Sequence, residues 1–338
     1  MAKRSLGVAV VGAGYWGPNL VRNFYASDQW SVRCIVERDR DRLERLLRFY
    51  PTVEGHASIE AALADPGVDA IALATPPHTH HELAARAIEA GKHVLVEKPL
   101  AESHREAEDL CQRARRAGVR LMTDHTFLYT GSVEKLRALR ESGELGSIYY
   151  IDSIRVNLGL FQQSNVVWDL APHDVSILNY ILDELPVSVA LALGACVHAK
   201  VPDVAFLTMW YPGGCLAHVH LSWLSPVKLR RTMISGSRKM AVWDDVEPTE
   251  KIYIYDKGVV LDPSSSTLQQ QMVSYRLGDL HVPLVDNREA LGKLVADFAS
   301  AISNDTATRS DGPFGAGVVR VIEAALRSAE RDGAKVEV

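Results

Sequence analysis

The sequence predicts an α/β protein in which a doubly wound parallel sheet precedes an α+β domain with a large, mostly antiparallel, open sheet. Strand-like and helix-like stretches alternate over residues 6–125, a pattern typical of a parallel sheet. Strand-like segments follow one another without helices over residues 187–255, which is typical of an antiparallel sheet. The chain has 338 residues, enough for two domains, which we place at residues 1–124 and 125–338.

The first strand carries the strongest local signal. It is the apolar run Val8–Val11, and Gly12, Gly14 and Gly17 follow it with the spacing G-x-G-x-x-G. In this strand–turn–helix context the three glycines allow a tight turn, close approach of a pyrophosphate, and close helix-on-strand packing. The N-terminus of the following helix would face the phosphates with free N–H groups. The motif therefore predicts a Rossmann-type dinucleotide site, against the alternative of a glycine-rich turn without a ligand.

The second strand, Ser31–Val36, ends in Glu37, twenty residues beyond Gly17. A carboxylate at that place accepts hydrogen bonds from an adenosine ribose and repels a 2′-phosphate, which favours NAD over NADP. Arg38 is interpreted either as a residue that stacks on adenine or holds that phosphate, or as a solvated surface charge. NADP therefore stays possible.

The remaining elements of the first half alternate regularly. The predicted helices are Leu20–Ser27, Asp41–Tyr50, Ile59–Ala64, His80–Ala90 and Ser103–Ala117, and the predicted strands are Asp69–Ala74, His93–Val96 and Arg120–Thr123. Ligands of such sheets sit beyond the carboxyl ends of the strands, where Thr75–His81 and Glu97-Lys98-Pro99 lie. Lys98 is suited to donate a hydrogen bond to a substrate oxygen, and the alternative is a structural ion pair of Glu97 with a neighbour. Cysteines and an acidic cluster are lacking beside the histidines of the first stretch, so we expect no metal site.

The second half begins with the helix Ser132–Ser142 and the strand Ile148–Val156. The helix Val166–Leu182 carries Asp169 and His173 four residues apart, on one face. The predicted strands that follow are Val187–His198, Ala205–Tyr211, Leu216–Trp223, Lys228–Ile234, Met240–Asp244 and Lys251–Tyr255. A sheet with helices on one face leaves the other bare, which favours self-association into a homodimer or homotetramer.

Arg155, Asn157 and Gln162 precede the Asp169 helix, and we expect them to line a substrate pocket. Arg155 has the planar donor fork that suits a diphosphate, and the alternative is an outward-facing strand arginine.

Composition excludes several function classes. The net charge is −5 and no long basic run occurs, so nucleic acid is not an expected partner. The apolar stretches are too short to span a bilayer, and the first residues leave no room for a signal peptide. The four cysteines lie far apart without a C-x-x-C pair, which favours a reducing cytoplasm with neither disulfides nor zinc.

The chain resembles the Gfo/Idh/MocA oxidoreductases in Val8–Gly17, Thr75–His80, Glu97-Lys98-Pro99 and Asp169-x-x-x-His173. The resemblance implies an N-terminal Rossmann domain for NAD(H) or NADP(H), and a C-terminal sheet used in oligomer formation. It also implies hydride transfer between the nicotinamide and a secondary alcohol or ketone of a sugar or cyclitol. Ala171 stands where many members have glycine, a mild departure.

Site residues follow from this resemblance by position. Lys98 would lie beside the reacting oxygen, His173 would be the general acid/base, and Asp169 would bind or orient substrate hydroxyls. On the motif and the resemblance together, the predicted cofactor-binding residues are Gly12, Gly14, Tyr15, Trp16, Gly17, Glu37, Arg38, Thr75, Pro76, His80, Glu97 and Lys98.

A subgroup that acts on C-3 of nucleotide-activated sugars is similar in Thr123–Gly131, Arg155–Phe161 and Tyr275–Asp279. The sequence thus predicts an NAD(P)-dependent sugar dehydrogenase or ketoreductase, with a nucleotide sugar as the expected substrate. Two alternatives stay open, a free-sugar or inositol dehydrogenase and a non-catalytic dinucleotide-responsive sensor or binding protein.

Overall fold

A computed structural model describes residues 4–159, 165–261 and 273–338. Contacts within the chain define two compact units. The first comprises Met1–Thr130 and Arg288–Glu323, and the second comprises Gly131–Asn287 and Ala324–Val338.

The first unit is built on a parallel sheet of six strands. Its strands are β1 (Leu6–Val11), β2 (Trp30–Val36), β3 (Glu54–His56), β4 (Ala70–Leu73), β5 (His93–Glu97) and β6 (Leu121–Asp124), and its first helices are α1 (Gly17–Tyr25), α2 (Arg40–Leu47), α3 (Ile59–Ala64), α4 (His80–Glu89) and α5 (His104–Ala117). The strand order is β3-β2-β1-β4-β5-β6, with every neighbouring pair parallel. Val8, Ala9 and Val10 are fully buried, as expected for a central strand covered on both faces. The doubly wound sheet predicted from the alternating pattern is confirmed.

The second unit is built on a nine-stranded sheet with the order β16-β13-β12-β11-β7-β10-β9-β8-β17. Its first helices are α6 (Gly131–Glu141) and α7 (Val166–Leu182). Its strands are β7 (Ile148–Leu158), β8 (Ser188–Gly194), β9 (Val204–Trp210), β10 (Leu216–Ser222), β11 (Leu224–Gly236), β12 (Met240–Asp244), β13 (Ile252–Tyr255), β14 (Gly258–Leu261), β15 (Val273–Arg276), β16 (Leu280–His281) and β17 (Val336–Glu337). Strands β14 and β15 pair with each other in a separate two-stranded sheet. Within the described strands of the large sheet, β7 and β10 pair in parallel and the other pairs are antiparallel. The mostly antiparallel sheet is confirmed.

The two faces of this sheet differ. Helix α7 packs against β9 and β10, where alternate residues such as Leu207 and Val219 are fully buried. On the opposite face Phe206 keeps 42% of its surface exposed and Leu216 keeps 40%. The sheet therefore presents apolar side chains on the face that α7 does not cover.

Residues 288–323 differ from the expected domain division, because they pack with the first unit rather than with the second. They include α8 (Ala290–Asn304) and most of α9 (Gly312–Ala329). The Trp30 ring stacks on Phe298 with 5.5 Å between centroids, and its Nε1 donates to the Val295 carbonyl at 2.8 Å. An amphipathic helix pattern shows that a face is buried but not which sheet buries it, so sequence reasoning assigned this segment by position alone.

Within the described ranges, no helix is both long and apolar enough to cross a membrane. The same ranges contain no group of three histidine, cysteine or carboxylate side chains arranged to hold a metal ion. The four cysteines carry free thiols, and burial raises the pKa of Cys34 to about 11 and that of Cys111 to about 12.

Candidate functional site

The glycine-rich turn lies at the carboxyl end of β1, and two of its glycines have no room for a side chain. Gly12 has φ +98°, and a Cβ there would lie 2.5 Å from the Ala74 carbonyl oxygen after β4. A Cβ on Gly17 would lie 1.9 Å from the Gly12 carbonyl oxygen. Helix α1 therefore starts directly against the turn, as the motif requires.

The middle of the turn is open. A Cβ on Gly14 would meet no atom within 4 Å, and Tyr15 beside it is 93% exposed. This is the space that the motif reserves for a pyrophosphate, and the residues present fit a dinucleotide. Contact of these residues with a cofactor stays a prediction.

Glu37 follows β2 and braces the turn, a role that sequence reasoning missed. Its Oε2 accepts from the Ala13 N–H at 2.7 Å, and its Oε1 accepts from the Asp39 N–H at 2.9 Å. Each carboxylate oxygen keeps capacity for a further donor, so the predicted ribose contact is compatible with the brace. Arg38 beside it is exposed.

His80 is buried beneath the carboxyl edge, and its expected place beside the cofactor stays a prediction. The side chain is fully buried, with Nδ1 at 2.7 Å from the Pro99 carbonyl oxygen and Nε2 at 2.8 Å from the Thr75 carbonyl oxygen. Burial lowers the pKa of the ring, whereas the two carbonyl groups raise it. His80 therefore joins the stretch after β4 to the stretch after β5 and positions both. Thr75 and Pro76 remain at the edge, where the Thr79 hydroxyl donates to the Pro76 carbonyl at 2.7 Å and shares a hydrogen bond of 2.7 Å with the Thr75 hydroxyl.

Glu97 and Asp124 end neighbouring parallel strands in register, which places their carboxyl groups side by side at the edge. Asp124 accepts from Trp16 Nε1 at 2.8 Å and from the Thr126 hydroxyl. Burial, and next the charge of Asp124, raise the pKa of Glu97 well above its usual range, while Lys98 acts in the opposite direction. Burial also raises the pKa of Asp124, against the effect of its hydrogen bonds. Trp16 thus contacts a carboxyl group, and Asp124 is a site residue that sequence reasoning left without a role.

Lys98 follows β5 directly and is partly exposed at the same edge. His125 lies close enough that the charge of Lys98 adds to burial in lowering the pKa of that imidazole to about 3. The ring is 2% exposed, meets Phe314 edge-on with 5.7 Å between centroids, and has no hydrogen-bond partner on either nitrogen among the described residues. The edge therefore combines a lysine with a histidine that stays neutral near pH 7.

The second unit carries the other predicted catalytic residues on α7. Asn165 caps this helix and its side chain accepts from Val167 N at 3.0 Å. Asp169 lies in the first turn and accepts from Trp223 Nε1 at 3.0 Å, and His173 lies one turn further along and is partly exposed. The helix therefore presents Asp169 and His173 on one face, as predicted from their spacing. The indole partner of Asp169 lies 54 residues away, too far for sequence spacing to reveal it.

Arg155 is buried in this structure, so the interpretation as an outward-facing strand arginine is wrong, and its place in a substrate pocket stays a prediction. It is 2% exposed, and its Nε donates to Asp174 Oδ2 at 2.5 Å. The other carboxylate oxygen of Asp174 accepts from the Ser153 hydroxyl at 2.9 Å, so the pair lies in a buried polar network under α7. Asn157 is partly exposed on β7. Gln162 lies outside the described residues.

Comparison with known proteins gives consistent results. A 2,7-anhydro-N-acetylneuraminate hydratase of Escherichia coli K12 is 27% identical over 62% of this chain and 59% of its own length. A UDP-N-acetylglucosamine 3-dehydrogenase of Acidithiobacillus ferrooxidans is 26% identical over 94% of both chains. A crystal structure of a putative oxidoreductase from Magnetospirillum magnetotacticum is 27% identical, with a TM-score of 0.81, 95% of this chain covered and 100% of that one. For two of the curated relatives the chain matches 59% and 40% of their length.

Two family models cover most of the chain. The model described as the oxidoreductase family with an NAD-binding Rossmann fold matches residues 6–125, and the model of the Gfo/Idh/MocA C-terminal domain matches residues 133–242. Both matches agree with the observed sheets. The chain therefore belongs to the Gfo/Idh/MocA family of NAD-dependent oxidoreductases.

Proposed function

We propose that the protein transfers a hydride between the nicotinamide of NAD and a secondary alcohol or ketone of a sugar. The observation that carries this proposal is the position of Lys98 at the carboxyl end of β5. The open glycine-rich turn lies at the same edge of this sheet. In doubly wound sheets, ligands bind beyond these strand ends. A cationic group there stabilises the negative charge that develops on a reacting oxygen.

The proposed roles divide among three side chains. In the direction of oxidation, His173 takes the hydroxyl proton, since an imidazole accepts protons near neutral pH. The Lys98 ammonium donates to the oxygen as it becomes an alkoxide, and Asp169 orients the substrate hydroxyls. Bound NAD would supply the hydride acceptor. The proposal requires that Lys98 and His173 meet at one carbinol.

Variants test these roles. His173→Ala and Lys98→Ala are each expected to lower turnover by about 10²–10⁴-fold, the usual contribution of an acid–base group, with NADH binding largely retained. The exposed residues His198 and Lys200 provide matched controls, and His198→Ala and Lys200→Ala should keep full activity. The measurement is NADH formation with a sugar panel. Near-normal rates in a site variant would remove that residue from the mechanism.

The proposed substrate class is a nucleotide-activated sugar, reacting at C-3. Support comes from the stretches that resemble the nucleotide-sugar subgroup and from similarity to a UDP-N-acetylglucosamine 3-dehydrogenase over 94% of both chains. Isothermal titration with UDP, dTDP and free hexoses separates this class from a free-sugar or inositol dehydrogenase. Binding of a nucleotide alone supports the proposal, and binding of free hexose without nucleotide supports the alternative.

We also propose that the uncovered face of the large sheet is a self-association surface. Its support is the row of partly exposed apolar side chains, which includes Phe206, Leu216 and Leu229. An exposed apolar patch on a folded chain commonly marks an interaction site.

A further inference from the structure

We propose that Glu97 and Asp124 together hold one proton, which the pair releases when cationic NAD⁺ binds and keeps when neutral NADH binds. The inference rests on the proposed function, because it needs the nicotinamide at this sheet edge. Its subject is the carboxyl pair, which acts through charge and positions neighbouring groups without touching the reacting atoms.

Hydrogen bonding shows where the proton lies. The carboxyl groups of Glu97 and Asp124 lie at paired positions of neighbouring strands, and two such groups share a hydrogen bond only if one of them is protonated. Asp124 already accepts from the Trp16 indole on one oxygen and from the Thr126 hydroxyl on the other. Both oxygens of Asp124 thus already accept a donor, which favours Asp124 as the carboxylate and Glu97 as the neutral acid.

The charges around the pair favour this single proton. Two carboxylates in contact in a buried place do not both ionise. Lys98 is the cation that follows Glu97 at the end of β5. His125 follows Asp124 at the end of β6, and burial keeps its ring neutral. From the other elements, Trp16 and Thr126 contribute uncharged donors.

In the stretch after β4, the His80 ring lies against the Pro99 carbonyl, and burial together with the charges of His78 and Lys98 lowers its pKa. Among the described groups, the charge of the Lys98 ammonium therefore balances that of the Asp124 carboxylate when Glu97 is protonated.

Cofactor binding changes this balance. NAD⁺ brings a positive nicotinamide, and loss of the Glu97 proton to the solvent would restore neutrality at the edge. NADH brings an uncharged ring, so the proton stays. By linkage, affinity for NAD⁺ should rise with pH relative to affinity for NADH, by at most about tenfold per pH unit for one proton.

The test counts protons on the unmodified protein. NAD⁺ and NADH are each titrated calorimetrically at neutral pH in two buffers with different enthalpies of protonation, which gives the protons released per cofactor bound. We expect a fraction of one proton to be released with NAD⁺ and close to none with NADH. Equal proton counts for the two cofactors would overturn the inference and leave the proposed function intact. Failure of both cofactors to bind would overturn the proposed function itself.

Two variants assign the proton to the pair. Glu97→Gln removes the acid, and Asp124→Asn removes the charge that keeps Glu97 protonated, so both should lose the difference between the two cofactors. Asp311 is a matched control, because burial also raises the pKa of its carboxyl group. It accepts from Phe314 N, a bond that asparagine can replace, and Asp311→Asn should keep the difference. A difference that persists in both pair variants would assign the proton elsewhere and contradict the inference.

Discussion

His125, His80 and Arg155 are polar side chains that the fold has buried almost completely. The sequence shows that these residues are polar, but it does not show that they are buried or which groups they contact. His80 contacts a carbonyl 19 residues away and Arg155 contacts Asp174 on another element. Spacing reveals neighbours within one helix or strand, whereas these contacts depend on how separate elements pack.

Burial of His125 predicts a specific acid sensitivity. Its pKa is lowered to about 3 in the folded chain, whereas an unfolded histidine has about 6.5. The unfolded chain therefore binds the extra proton first, and stability is lost as pH falls below 6.5 until about 3. For this residue alone the loss at pH 5 is about 2 kcal/mol relative to pH 7.

The measurement compares the pH dependence of unfolding in the parent chain and in His125→Gln. The amide keeps polar atoms at the site but does not titrate, so the variant should lose less stability between pH 7 and pH 5. An identical slope in both chains would show that His125 is not the group responsible.

Helix α7 holds Asp169 and His173 on one face, and its contact with β7 sets the orientation of that face. Its apolar stripe and the i,i+4 spacing of Asp169 and His173 were sufficient to predict the helix and its polar face. The helix begins at Val166 and has Pro172 in its interior, where proline lacks the N–H of a helical hydrogen bond. The buried pair of Arg155 with Asp174 ties this helix to β7 and so fixes the register of the face that carries His173.

The same pair yields a prediction about stability. Arg155→Met leaves the Asp174 carboxylate buried without its cation, and we expect a loss of about 3–5 kcal/mol. The double variant Arg155→Met/Asp174→Leu removes both charges and should recover much of that loss. Denaturant unfolding measures both chains.

Nucleotide binding, measured under conditions in which the variant stays folded, distinguishes this structural role of Arg155 from a role as a ligand. If Arg155 instead served as a diphosphate ligand, Arg155→Met would weaken nucleotide binding and leave stability nearly unchanged.

At the scale of the whole molecule, the fold class followed from two patterns that the structure confirms. The alternation of strand-like and helix-like stretches predicted the parallel sheet, and strands without intervening helices predicted the antiparallel one. The assignment of residues 288–323 did not follow, because a long-range docking choice leaves little trace in local periodicity.

The uncovered sheet face gives a prediction about assembly. Phe206 stacks on His220 with 4.5 Å between centroids and keeps 42% of its surface exposed at this face. A charge at Phe206 would be desolvated in an interface, so Phe206→Asp should convert an oligomer to a smaller species at micromolar concentration. Light scattering measures the mass, and Phe49→Asp is a control because Phe49 is 77% exposed on the first unit. A parent chain of monomeric mass would contradict the proposed surface.

The docking of residues 288–323 on the first unit also bears on biosynthesis. The polypeptide leaves the first unit after Thr130 and returns to it at Arg288, so Trp30 meets Phe298 only after β7 to β16 have been translated. A nascent chain that has emerged only as far as Thr130 would still expose the apolar surface that α8 later covers. Completion of the nucleotide-binding half is therefore a late step of folding, because it waits for a segment made near the end of synthesis.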